Sequence, residues 1–182
     1  MESNPPELAA VKIQALFRGS VLRKGIKQNP EMSFNNAPSK EFATPILLIP
    51  DYSNSATKAT EEKLGVFSYD KGEPKDSSLP VLGPYQLTSN KGVYKGQWKD
   101  GQRHGRGEMF WTDGSRYIGE WRNNKANGRG RLIHADGDAY EGEWMGDKAQ
   151  GKGVYFHANG VKYEGDWVED QQHGFGVETW PG

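Results

Sequence analysis

The residues of this chain whose types and spacing carry chemistry fall into two sets. In the first, Tyr94, Tyr117, Tyr140 and Tyr163 stand 23 residues apart, each followed by a glycine at the second place (Gly96, Gly119, Gly142, Gly165) and a tryptophan at the fourth (Trp98, Trp121, Trp144, Trp167). Gly-x-Gly pairs recur in the same register at Gly105/Gly107, Gly128/Gly130, Gly151/Gly153 and Gly174/Gly176, with further glycines at Gly114, Gly137 and Gly160. In the second set, five basic residues (Lys12, Arg18, Arg23, Lys24, Lys27) interleave with apolar ones, and no acidic residue falls between Val11 and Lys27. Such a cationic, apolar stripe fits an acidic protein groove or a membrane surface.

Sharper chemistry does not survive the register. None of the Gly-x-Gly pairs extends to G-x-G-x-x-G, and each lies inside a strand pattern instead of between a strand and a helix, so no nucleotide loop is expected. His104 and His173 hold one repeat position and His134 and His157 another, so they cannot converge on a tetrahedral zinc. The chain has no cysteine, which removes disulfides, Cys-based metal sites and thiol nucleophiles. Catalytic residues, metal ligands, cofactors and nucleic-acid partners are all expected to be absent, and the four histidines are read as structural.

The elements that position these residues follow from periodicity. Tyr-x-Gly-x-Trp alternates with the period of a strand, so its three residues share one face. The residues between them (Lys95 and Gln97, Glu141 and Glu143, Glu164 and Asp166) are expected in solvent. The glycine between two rings is expected to leave a notch for a ring of the next hairpin. A polar turn such as Lys99-Asp100-Gly101-Gln102-Arg103 then leads to a second strand starting at the Gly-x-Gly pair. A single hairpin is marginal in water, so the units must stack side by side, with a stability that sums over neighbours.

The pattern Tyr-x-Gly-x-Trp-x-x-Gly-x-x-His-Gly-x-Gly resembles the MORN repeat, and Tyr94 to Gly107 matches it position for position. Later copies carry Asn124, Asp147 and Asp170 at the turn glycine, and Asn127 and Gln150 at His104. The resemblance implies a mainly β fold, a single-layer array of stacked hairpins. Four repeats are expected within 90–182, at 94–116, 117–139, 140–162 and 163–182, the last stopping short of its turn glycine.

Residues 5–27 are expected to form an α-helix, with Asn4 as N-cap and prolines in its first turn. Within it Ile13, Gln14, Arg18, Gly19, Arg23, Lys24 and Ile26 resemble the IQ motif. That resemblance implies docking of calmodulin or a calmodulin-like EF-hand protein. In the helix-in-groove account, Ile13, Phe17, Leu22 and Ile26 enter apolar grooves while the arginines meet acidic residues. Packing on the protein's own repeats and binding to a membrane remain the alternatives for this helix.

Residues 28–89 hold seven prolines and no sustained period, and are expected to be an extended or disordered linker. Two apolar islands interrupt it: Ile46–Ile49, expected to dock a partner, and 79–87, expected to cap the edge of the first repeat. The near-neutral chain also hides a charge gradient. Residues 91–131 carry ten basic against four acidic side chains, net +6, and residues 132–182 three against ten, net −7. This favours association with a second copy or another MORN protein.

The functional expectation is a non-enzymatic scaffold that recruits an EF-hand protein through its helix and other scaffold or cytoskeletal proteins through its repeats. The resemblance implies a cytoskeletal setting such as a cilium or axoneme. The alternative is an adaptor for membrane phosphoinositides, using Arg103, Arg106, Arg129 and Arg131. The most apolar run, Ile46–Ile49, is far below the ~20 residues of a membrane span. The acidic N-terminus is not read as a secretory leader, and Glu2 does not allow myristoylation. The chain is therefore expected to be soluble and cytoplasmic.

Overall fold

The structure, a computed structural model, describes residues 36–182. The helix expected at 5–27 lies outside them. The described chain is built on one antiparallel sheet of ten strands in sequence order. Strands β3 (Val93–Lys99), β5 (Arg116–Arg122), β7 (Ala139–Met145) and β9 (Lys162–Val168) begin the four repeats. Strands β4 (Gln102–Phe110), β6 (Lys125–Ile133), β8 (Lys148–Phe156) and β10 (Gln171–Thr179) complete them.

The hairpin turns are shorter than the sequence implied. Only two residues separate the strands: Asp100-Gly101, Asn123-Asn124, Gly146-Asp147 and Glu169-Asp170, all with positive φ. Two consecutive left-handed residues match the twist of the flanking strands, and Asn, Asp and Gly adopt them most readily. The second strand therefore starts three residues before the Gly-x-Gly pair. The first glycine of the pair sits at a bulge, where Gly105 takes φ +65 and the ladder jumps from Gly96↔Gly107 to Trp98↔Arg103.

The segment expected as an extended or disordered linker is largely built into the fold. Ala43–Pro45 forms β1 and Val81–Leu87 forms β2, and β2 pairs with β3, so the first repeat's edge is covered. Helix α1, Ser55–Leu64, is closed by a reciprocal capping box between Asn54 and Thr57 and by Gly65 at its end. Of the other apolar island, Leu47 and Leu48 remain 97% and 81% exposed. Long-range contacts hold this segment, which is why it lacks a period of its own. The buried cluster runs along one face of the sheet, from Ala43 and Leu87 through Trp98, Tyr117 and Tyr140 to Trp167.

Candidate functional site

The ladder face is made from the repeat residues. Gly96 and Gly107 lie opposite each other on β3 and β4. A Cβ on either would fall against the Tyr94 side chain, so the bare backbone is the bed on which that ring lies. The notch is thus filled by the repeat's own tyrosine and not, as expected, by a ring from the next hairpin. The Tyr94 hydroxyl donates to the carbonyl of Gln97 at 2.9 Å, beside the bulge. Tyr117, Tyr140 and Tyr163 make the same bond to Glu120, Glu143 and Asp166. Burial pushes the phenols of Tyr94, Tyr117 and Tyr140 well up, which keeps them neutral donors.

The tryptophans join one repeat to the next. Trp121 stands edge-on to its own Tyr117 at 5.0 Å and to Tyr94 of the preceding repeat at 5.4 Å. Its indole N–H donates to Gly107 O at 3.2 Å. Trp144 and Trp167 repeat this geometry on Tyr117 and Gly130, and on Tyr140 and Gly153. A second clamp recurs at the turns. Asn124 N donates to Arg103 O while Arg103 N donates to the Asn124 side chain; Asp147 with Ala126 and Asp170 with Ala149 do the same.

The opposite face is crossed by residues 53–79, which we call the strap. Thr60 and Asn54 donate to Gly137 O and Ala135 O. Phe67 is buried and Tyr69 donates to Gly119 O at 3.4 Å. Gln97, expected in solvent, is fully buried because its amide donates to Asp76 O and Leu79 O in the strap while its oxygen accepts from Arg106 N at the bulge. Glu120 is buried under Gly72 and accepts from Arg129 N in the same way. Lys95, Glu143 and Glu164, by contrast, are exposed.

The four arginines read as a basic cluster do not form one. Arg103 lies on the ladder face, 4.5 Å from the Trp121 ring and bonded to Asn124 O. Arg106 stacks on Tyr69 at 4.2 Å and donates to Glu73 O. Arg129 and Arg131 both pair with Glu141 at 2.7 Å, and Arg131 also donates to Gly65 O. The sequence counts their charges but not these partners. The signal that was missed is the strap's own aromatic pair, Phe67 and Tyr69, which meets three of these guanidinium groups.

The histidines stay apart. His157 approaches Asp138 at 3.4 Å, beside the Tyr155–Asp138 bond, and His104 accepts from Asn123 N at 3.5 Å. Among the described residues, no three His, Asp or Glu side chains are placed to hold a metal ion, and no helix is long and apolar enough to cross a membrane. Ile13, Gln14, Phe17, Arg18, Gly19, Leu22, Arg23, Lys24 and Ile26 lie outside the described residues.

Among the described residues β10 pairs only with β9, and Phe175, Val177 and Trp180 are 91%, 67% and 63% exposed. Comparison with known families matches the MORN repeat at residues 94–116, 117–139, 140–162 and 163–182. A search of curated proteins found no match to the chain.

Proposed function

We propose that residues 94–182, being four MORN repeats, are the docking scaffold of a non-enzymatic adaptor, and that Ile13 to Ile26 tether calmodulin or a related EF-hand protein to it. The scaffold reading rests on one observation. The sheet uses its aromatic residues to join repeat to repeat, yet the fold leaves the internal apolar pair Leu47 and Leu48 in solvent. A surface of that kind takes protein partners. A membrane role draws less support, because Arg106, Arg129 and Arg131 are engaged by the strap and by Glu141 and do not face outward as a cationic patch.

The EF-hand reading rests on the spacing of Ile13, Gln14, Arg18, Gly19, Arg23, Lys24 and Ile26. The setting it implies is a cytoskeletal assembly such as an axoneme. The test is a calmodulin pull-down, with calcium and with chelator, comparing the wild-type chain with Ile13→Ala/Arg18→Ala. Retention in chelator, lost in the variant, is the expected result. No capture in either condition would sink the EF-hand reading and leave the repeats alone to carry the function.

A further inference from the structure

The net charge of +6 over residues 91–131 is not spread evenly over the surface. Arg103 lies on the ladder face, and Arg106, Arg129 and Arg131 are engaged by the strap and by Glu141. Lys99, Arg122 and Lys125 are exposed and make no ion pair among the described residues.

All three close hairpins. Lys99 lies opposite Gln102 across the first turn, and Arg122 lies opposite Lys125 across the second. Like charges directly opposite each other destabilise a sheet. The third repeat sets Met145 against Lys148 at this place, and there Lys148 is neutralised by Glu169. His104 belongs to the same group. Burial and the charges of Lys99 and Arg122 pull its imidazole below the usual range, and it accepts from Asn123 N at the second turn. Of the carboxylates nearby, Asp76 is taken up by Ser78 N and Oγ, and Asp147 is buried. Asp100 lies exposed in the first turn. The hairpin ends of the first two repeats thus present a surplus of outward cations.

The chain enters the described fold at this same place. Asn36 O accepts from Gly101 N, and the Asn36 side-chain oxygen accepts from Asp100 N, both at 3.2 Å. The segment from Ile26 to Asn36 reaches at most ~35 Å, about the diameter of a small domain. A protein held at Ile13 to Ile26 is therefore confined to the neighbourhood of these cations, at an effective concentration that makes a weak contact count. EF-hand proteins are rich in carboxylates because they hold calcium with them, so the charges are complementary. We propose that Lys99, Arg122 and Lys125 are a second docking surface for the EF-hand protein tethered at residues 13–26, which then bridges the N-terminal segment and the first two repeats. Such a contact relieves the uncompensated Arg122↔Lys125 pair.

This inference rests on the EF-hand reading above and adds a surface to it. The test measures calmodulin binding to the full 182-residue chain by calorimetry, comparing the wild type with Lys99→Gln/Arg122→Gln/Lys125→Gln. All three positions are exposed, and neutralisation removes a repulsive pair, so a thermal midpoint no lower than the wild type's shows that the variant keeps its fold. The expected result is about tenfold weaker binding of the variant at about 50 mM salt, and equal binding at about 500 mM, where exposed charges are screened. Carbodiimide cross-linking of the wild-type complex should join Lys99 or Lys125 to calmodulin carboxylates. Equal binding at both salt concentrations, with cross-links from residues 1–35 alone, overturns the second surface and leaves the tether standing. No binding by the wild-type chain removes the tether, and the proposal with it. Capture of the wild type but not the variant by phosphatidylserine vesicles, with calmodulin affinity unchanged, would assign these cations to a membrane and overturn the proposal as well.

Discussion

Trp144 donates its indole N–H to the carbonyl of Gly130 at 3.1 Å and stands 5.4 Å from the Tyr117 ring. Both partners belong to the preceding repeat, so this one side chain is a joint between neighbours. Stability in such an array is a sum of neighbour terms, and a central joint is where the sum can be cut. Trp144→Ala removes a buried ring whose loss costs roughly 3–5 kcal/mol. Thermal unfolding followed by tryptophan fluorescence should then show a lowered, broadened transition, as the repeats on either side melt apart. Trp180→Ala, at an exposed indole, should leave the transition where it is. Equal effects from the two would show that the ladder does not join the repeats.

Gly130 and Gly119 face each other beneath the Tyr117 ring, and a Cβ on Gly130 would overlap the phenol. Gly130→Ala must therefore push the ring off the sheet, which breaks its bond to Glu120 O and its contact with Trp144. A cost of about 3 kcal/mol is expected, at the upper end for overpacking. Gly146 gives the contrast. It has positive φ but open space around it, so Gly146→Ala bears backbone strain alone, about 1 kcal/mol. Gly146→Asn should be close to neutral, because Asn123 holds the same place in the preceding repeat with φ +51. Urea midpoints for the three variants check the order.

The contrast between these two glycines also marks what could be read from the residues. The 23-residue spacing of tyrosine, glycine and tryptophan was legible because each backbone bed accepts only one residue type, so the types recur in strict register. Cover for the first edge was legible too, since an apolar segment at 79–87 precedes an otherwise bare strand. The course of 53–79 was not, because its contacts with Gln97, Glu120 and Arg131 are made across tens of residues and leave no period. Helix α1 did leave a local trace, the Asn54-x-x-Thr57 box ahead of Gly65, but ten residues with little amphipathic pattern did not stand out beside it. The arginines misled for a related reason. Charge can be counted along a chain, while the partner that absorbs it, Tyr69 for Arg106 or Glu141 for Arg131, is visible only in three dimensions.

Among the residues of the strap, Phe67 is the buried apolar one. It packs beneath Arg129 and Arg131, whose Cζ atoms lie 6.0 and 5.6 Å from its ring, and stands edge-on to Tyr69. Phe67→Ala should loosen residues 65–79 without unfolding the repeats, since the ladder lies on the other face. Amide hydrogen exchange should rise by tenfold or more at Tyr69 and Gly72, with the amides of β7 and β8 unchanged. A uniform rise over the whole sheet would mean that the strap is part of the cooperative unit.

Asp147 gives the fold a pH dependence of defined sign. Its carboxyl is buried against β6 and accepts from Ala126 N, and loss of hydration raises its pKa from 3.8 to about 6 despite that bond and the nearby charges of Arg103 and Lys125. Between those two values the native state holds a proton that the unfolded chain has lost, so unfolding free energy falls as pH rises from about 4 to about 6. The burial penalty is then present in full at neutral pH. Asparagine at this place would keep the acceptor and drop the charge, as Asn124 does for Arg103 N in the preceding repeat. Asp147→Asn should therefore stabilise the protein at pH 7.5 by about 3 kcal/mol, the scale of a shift of this size, and should have little effect near pH 4. Urea unfolding of both proteins at the two pH values is the check. Parallel stability curves across the window would place the Asp147 titration elsewhere and remove the burial penalty from the account.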